Sequence, residues 1–180
     1  MKKFRNLTTE EIVNQIEFMI WKDNFNPNDS KEFKINYTRM GEPFLNIDAV
    51  KEVIKIINDK YPNTHHYVST IGVKNADYSW IKDNITLQLS IHSFDNNARN
   101  WLIPFKNKSL IEELGKIRTK SNLKTTINLT LVEEGDFDID LLKRYFPKEE
   151  FFIKISPINP NIISEKNGLG AGIIKGKNIL

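Results

Sequence analysis

Ile85-Thr86-Leu87-Gln88-Leu89-Ser90-Ile91 sets apolar residues at every second position with polar residues between them. A period of two belongs to a β-strand, whose successive side chains point to opposite faces. Working outward from this strand, similar units recur. Upstream, residues 33–38 (Phe-Lys-Ile-Asn-Tyr-Thr) alternate, and Met40-Gly41-Glu42-Pro43 breaks the run. Asn46 then stands where a helix cap is favoured, before a helix over 47–59 with Val50, Val53, Ile54 and Ile57 on its inner face. Tyr67-Val68-Ser69-Thr70 reads as a short strand ending at Ile71-Gly72, and residues 77–82 as one helical turn. His65-His66 reads as that strand's start; adjacent strand residues face opposite ways and do not readily chelate one metal.

Downstream, Ser109 with Glu112 fits a capping box that opens a helix to about Arg118. Residues 125–132 read as a strand, Asp138 or Asp140 caps a helix through Tyr145, and Pro147 stops it. Residues 151–155 form the fifth strand. At the start, Thr8 with Glu11 is another capping box, and Ile12, Ile16, Met19 and Ile20 follow at helical spacing. Five strands separated by helical segments predict an α/β fold with parallel pairing and right-handed crossovers. The order is unusual in opening on a helix with no strand before it.

Composition narrows the function classes. The 180 residues suffice for one domain with a sizeable core, and 39% apolar with 27% charged residues describes a folded chain. Lys and Arg number 26 against 23 Asp and Glu, a net charge of +3 that does not by itself indicate nucleic-acid binding. Part of the basic excess lies at the ends, in Lys2, Lys3, Arg5, Lys175 and Lys177. No apolar run is long enough to span a bilayer, and no signal-peptide pattern follows Lys2-Lys3, so a cytoplasmic location is the expectation. Cysteine is absent, which excludes disulfides, a thiolate nucleophile and cysteine-held metal clusters within these residues. Residues 161–180 are polar and glycine-rich, and a flexible tail is expected there after a core over 1–160.

In parallel α/β folds, ligands bind at the carboxyl ends of the strands. Those ends carry Gly41-Glu42, Ser69-Thr70-Ile71-Gly72, Ser90-Ile91-His92, Glu133-Glu134-Gly135 and Ser156-Pro157-Ile158-Asn159-Pro160. Together they predict a ring of donors and acceptors around one rim, suited to a small polar ligand. Each residue alone has a plainer reading. Glu42 fits a solvated turn carboxylate as well as an acceptor for an ammonium group. Ser69 and Ser90 fit the capping of strand-end backbone groups. His92 fits a structural hydrogen-bonder as well as a base or ligand. Asn159, near two prolines, fits a ribose or carboxylate contact. Asp95, Arg99 and Asn100 read as a local loop network.

The combination Met40-Gly41-Glu42-Pro43-Phe44-Leu45-Asn46, Ser69-Thr70-Ile71-Gly72, Leu89-Ser90-Ile91-His92 with Asp95, Arg99, Leu102-Ile103-Pro104 and Asn107, and Ile158-Asn159-Pro160 resembles the radical S-adenosylmethionine enzymes of the RlmN/Cfr type. These are rRNA adenine methyltransferases and their looser relatives, and the resemblance runs over about residues 5–160. It implies a partial (β/α)6 TIM-type barrel, S-adenosylmethionine as cofactor, and an RNA substrate. By the same resemblance, Gly41 and Glu42 receive the amino group of S-adenosylmethionine, and Ser69, Ser90, His92 and Asn159 contact its other polar groups.

The family also implies a 4Fe-4S cluster held by a Cys-x3-Cys-x2-Cys loop after a first strand, and a methyl-carrying cysteine. None of these cysteines is in this chain. The expectation is a radical S-adenosylmethionine core lacking its first strand, inactive alone, with the cluster carried by a missing N-terminal segment or subunit. A truncated frame, a split gene and a degenerate relative would each give this pattern; truncation is favoured because the rim residues are in place. Two other classes remain open: a non-catalytic binding module, and a non-radical α/β enzyme using Glu42 and His92 as acid and base. Without a first strand, the one near Phe33 becomes an exposed edge, and marginal stability or self-association is expected.

Overall fold

A computed structural model of the chain describes residues 5–38, 41–131, 137–158 and 162–169. Five strands, β1 (Phe33–Tyr37), β2 (Thr64–Thr70), β3 (Ile85–Ser90), β4 (Thr125–Leu131) and β5 (Phe151–Pro157), form one sheet in sequential order. Every pairing is parallel. Helices lie between or beside them: α1 (Thr9–Lys22), α2 (Ile47–Lys60), α3 (Asn96–Leu102), α4 (Ile111–Leu114), α5 (Ile139–Tyr145) and α6 (Ile162–Lys166). Sequential order with parallel neighbours is the α/β arrangement that the sequence predicted, and it is the arrangement of a partial (β/α) barrel, as the resemblance implied. The short helix α6 lies within the segment set apart as a tail.

The two faces of the sheet differ. Ile35 and Tyr37 on β1, Thr64, His66, Val68 and Thr70 on β2, and Ile85, Leu87 and Leu89 on β3 are all buried. Ile127 and Leu129 continue this face on β4, in register with Leu89 and with Ile155 respectively. Val50, Val53, Ile54 and Ile57 of α2 complete the core, as their helical spacing predicted. The opposite face carries Tyr67, Ser69, Thr86, Gln88, Ser90, Asn128 and Thr130, none fully buried. Ordinary parallel strands are covered on both faces and read as continuous apolar runs. Here the polar alternation marks a face without a helical layer, which is the inner side of a barrel wall.

Local signals explain most boundaries. Thr8 and Glu11 form the predicted capping box on α1, and Asp138 caps α5 through the Asp140 and Leu141 amides. Several expectations are corrected. Residues 77–82 form turns rather than a helical turn; the Asp77 carboxylate accepts from the Ser79 amide, an Asx-type turn that competes with helix. Asp95, Arg99 and Asn100 belong to helix α3 and not to a loop; Asp95 caps it by accepting from the Ala98 amide at 2.7 Å. The helix after Ser109 is one residue later and shorter, because Glu113, not Glu112, reaches back to the Leu110 amide at 2.8 Å. Asn46 makes no side-chain cap on α2; its amide donates to the Leu7 carbonyl at 2.9 Å and so ties the start of the chain to that turn.

The β1 edge is open among the described residues. Helix α1 packs on α2, and Ile12, Ile16 and Ile20 reach the core, but Met19, expected on the same face, is half exposed, as is Phe18, and Trp21 is more exposed still. A cavity of about 560 Å³ runs between α1 and β1, lined by Ile16, Met19, Ile20, Phe25, Phe33 and Ile35 among others.

Candidate functional site

The end of β1 leads into Gly41, whose φ of +91° is easy only for glycine. Glu42 follows with extended backbone and caps a single turn of 3-10 helix, Pro43–Leu45. Proline fits the first position of that turn because its fixed φ is already correct and no amide is wasted. Phe44 anchors the turn from below, with its ring 4.6 Å from that of Tyr78 and 6.0 Å from that of Trp80. The Glu42 carboxylate is thereby aimed at two backbone amides: one oxygen accepts from Phe44 at 3.1 Å, the other from Ile71 at 2.9 Å. A carboxylate offers about four acceptor positions, so two remain for a ligand donor. The plainer reading of Glu42, a solvated turn residue, is incomplete: its side chain joins the ends of β1 and β2.

Ser69 and Ser90 lie on the polar inner face, on neighbouring strands. Register places Ser69 beside Gln88, and the Ser69 hydroxyl donates to the Gln88 side-chain oxygen at 2.8 Å. Ser90 stands two residues further along the same face, beside Asn128 of β4. Sequence reasoning singled out neither Gln88 nor Asn128. The signal was present in the alternation Thr86-Gln88-Ser90, which places every polar residue of β3 on one face.

His92 leaves β3 with φ of +64°, a conformation uncommon for residues other than glycine. Its Nδ1 accepts from the Thr130 amide at 3.2 Å, so the neutral ring carries its proton on Nε2. Burial lowers the His92 pKa, and the positive charge of Arg99 adds to the effect. The imidazole is therefore a neutral Nε2–H donor that also ties the end of β3 to β4. That geometry weighs against His92 as a general base, since the nitrogen able to accept a proton is already occupied.

Five of the predicted rim residues, Gly41, Glu42, Ser69, Ser90 and His92, thus lie at the ends of β1, β2 and β3, and three of them bond across to a neighbouring strand or its end: Glu42 to Ile71, Ser69 to Gln88 and His92 to Thr130. Asn159, Glu133, Glu134 and Gly135 lie outside the described residues. His65 and His66 separate as alternation predicts: His65 Nε2 pairs with the Thr86 hydroxyl at 2.8 Å, and His66 is buried on the opposite face. Arg99, read only as a loop partner, is fully buried and donates to the carbonyls of Ser109 and Ile71.

The donor set separates the two cofactors that the resemblance implied. An acceptor-only carboxylate, two hydroxyls and an imidazole N–H suit the ammonium, hydroxyl and carboxylate groups of S-adenosylmethionine. No residue present suits the cluster: the chain has no cysteine, and no group of three His, Asp or Glu among the described residues is placed to hold a metal. No described helix is long and apolar enough to cross a membrane.

Comparison with known proteins places the chain beside one set of relatives. It is 32% identical over 171 aligned residues to a probable dual-specificity RNA methyltransferase RlmN of Dictyoglomus thermophilum, an alignment that takes in 88% of this chain and 47% of that protein. The identity is 30% to a protein of the same description from Thermosipho melanesiensis, over 96% of this chain and 58% of the relative. With one from Thermotoga neapolitana it is 28%, over 98% and 54%. The chain spans about half the length of the curated relatives it matches. No family model matches it, and no solved structure does.

Proposed function

We propose, from the chain's similarity to RlmN-type RNA methyltransferases, that it is the S-adenosylmethionine-binding core of a radical S-adenosylmethionine RNA methyltransferase. The observation that carries this reading is the Glu42 carboxylate, held at the sheet's carboxyl rim by two amides and left with open acceptor positions. There it receives the cofactor's ammonium group. Ser69 and Ser90, on the polar inner face, take hydroxyl and carboxylate groups, as does His92 through Nε2–H. Asn159 completes the set by the family resemblance. S-adenosylmethionine, when bound, supplies the transferable methyl group and the radical precursor. These residues orient it and hold its charge.

Cluster chemistry has no home in these residues, so no step of it is derived for them. We place the cluster ligands on an N-terminal segment or a subunit outside the 180 residues, and the chain alone is inactive. The proposal of an RNA substrate is supported by the relatives' description as RNA methyltransferases and not by charge, since the net charge is only +3; a cytoplasmic location is proposed with it. Residues 1–160 make up the core in this reading; of the segment after it, 162–169 are described and carry α6, and 161 and 170–180 lie outside the described residues. Calorimetry with S-adenosylmethionine tests it. One site is expected, weakened about tenfold or more in Glu42→Gln, which removes a charge-assisted contact. Absence of binding by the folded chain contradicts the cofactor assignment. Reductive cleavage of S-adenosylmethionine by the chain alone, after anaerobic treatment with iron and sulfide, contradicts the placement of the cluster.

A further inference from the structure

Arg99 is 1% exposed, yet no ion pair among the described residues includes it. Its Nη1 donates to the Ser109 carbonyl at 2.8 Å and its Nη2 to that of Ile71, while Nε is buried without a partner. Holding a guanidinium here with carbonyl dipoles alone is costly, because desolvation is only partly offset. Burial lowers its pKa to about 10. A side chain of similar length without charge, such as methionine, would fill the space at less cost. Stability alone therefore does not call for arginine.

What the guanidinium holds is specific. The Ile71 amide donates to Glu42, and the Ile71 carbonyl accepts from Arg99. Both peptide planes that flank the Ile71 Cα are fixed, and these set its two soft dihedrals. The adjoining chain is stitched by the Ser109 amide to the Gly72 carbonyl at 2.8 Å, and by the Lys74 amide to the Asn107 carbonyl at 3.0 Å. Arg99 comes from α3, which follows β3. Ile71 follows β2, and Glu42 follows β1. One buried side chain thus locks three strand ends to each other.

We propose that Arg99 is a positioning residue for the cofactor site: it acts through Ile71 to hold the Glu42 carboxylate in the orientation that receives the ligand's ammonium group. The ligand half of this inference rests on the proposed binding of S-adenosylmethionine; the Ile71 half does not. The test uses the full 180-residue chain with Arg99→Met, Arg99→Lys, Glu42→Gln and the Arg99→Met/Glu42→Gln double variant, with global stability measured by urea. Without ligand, amide exchange at Ile71 rises about tenfold in Arg99→Met beyond the change at Val68, which reports global opening. Arg99→Lys, keeping one charged donor, restores most of the protection. With S-adenosylmethionine, Arg99→Met weakens binding about tenfold in the native background and less than about twofold in Glu42→Gln, because the two act in series. A merely structural arginine would give additive losses and no selective exposure of Ile71. If Arg99→Met does not fold, Arg99→Lys carries the same comparisons, with smaller changes of the same pattern. Unchanged Ile71 exchange in a folded variant overturns the proposal, as does additivity with Glu42→Gln. If the native chain binds no S-adenosylmethionine while Ile71 still responds, the positioning of Ile71 stands and the cofactor reading falls.

Discussion

At the scale of single residues, two glycines that look alike in sequence have different duties. Gly41 and Gly72 both have positive φ, +91° and +80°. A Cβ at Gly41 would meet open space, whereas one at Gly72 would collide with the buried Leu114 side chain. Gly41→Ala is expected to cost about 1–2 kcal/mol from backbone strain alone. Gly72→Ala adds overpacking of a tight core and is expected to cost about 2–5 kcal/mol in total. Urea denaturation of the two variants separates them; equal losses would contradict this assignment.

His66 supplies a second residue-scale prediction. Its Nδ1 lies 3.1 Å from the Tyr37 hydroxyl and its Nε2 2.9 Å from the Asn58 side-chain oxygen. Both contacts suit the neutral ring, with Tyr37 donating to Nδ1 and Nε2–H donating to Asn58. Burial, with a smaller effect from His65, lowers its pKa to about 4. The unfolded chain takes up a proton near pH 6.5, the folded chain only near pH 4, so between these values the unfolded state binds more protons. Stability is fully present above about pH 6.5 and falls as the pH drops toward 4, by up to about 3 kcal/mol from this residue. His66→Gln should flatten that slope in urea melts taken from pH 7 to pH 4. An unchanged slope would assign the acid sensitivity to other groups.

At the scale of elements, the central strand was the most legible part of the chain. The alternation in 85–91 gave both a strand and a polar face, and parallel pairing continues that polar face onto β2 and β4. Capping chemistry located α1 and α5 because Thr8, Glu11 and Asp138 act within one turn of their own position. It misplaced α4, where Glu112 and Glu113 are adjacent and only tertiary packing selects between them. Helix α3 was hidden because Asp95, Asn96 and Asn97 favour turns locally; in the fold Asp95 serves as the helix's N-cap instead. The β1 edge and the exposed Phe18, Met19 and Trp21 carry the element-scale prediction. The chain should self-associate with rising concentration in sedimentation velocity. Trp21→Lys should suppress this while changing stability by less than about 1 kcal/mol. A native chain that stays monomeric at high concentration would contradict it.

At the scale of the whole molecule, the rim was foreseeable because a parallel α/β topology puts all strand ends on one side. The links inside the rim were not foreseeable. Glu42 to Ile71, Ser69 to Gln88 and His92 to Thr130 span 19 to 38 positions in sequence, and no local pattern encodes them. The cofactor assignment depends on those links acting together as one binding surface. The most direct measurement is a titration of the isotope-labelled chain with S-adenosylmethionine, followed by amide and imidazole resonances. The account predicts saturable shifts concentrated at Gly41, Glu42, Ser69, Ile71, Ser90 and His92, largely lost in Glu42→Gln. Shifts confined to the cavity between α1 and β1, or none at saturating ligand, would contradict it.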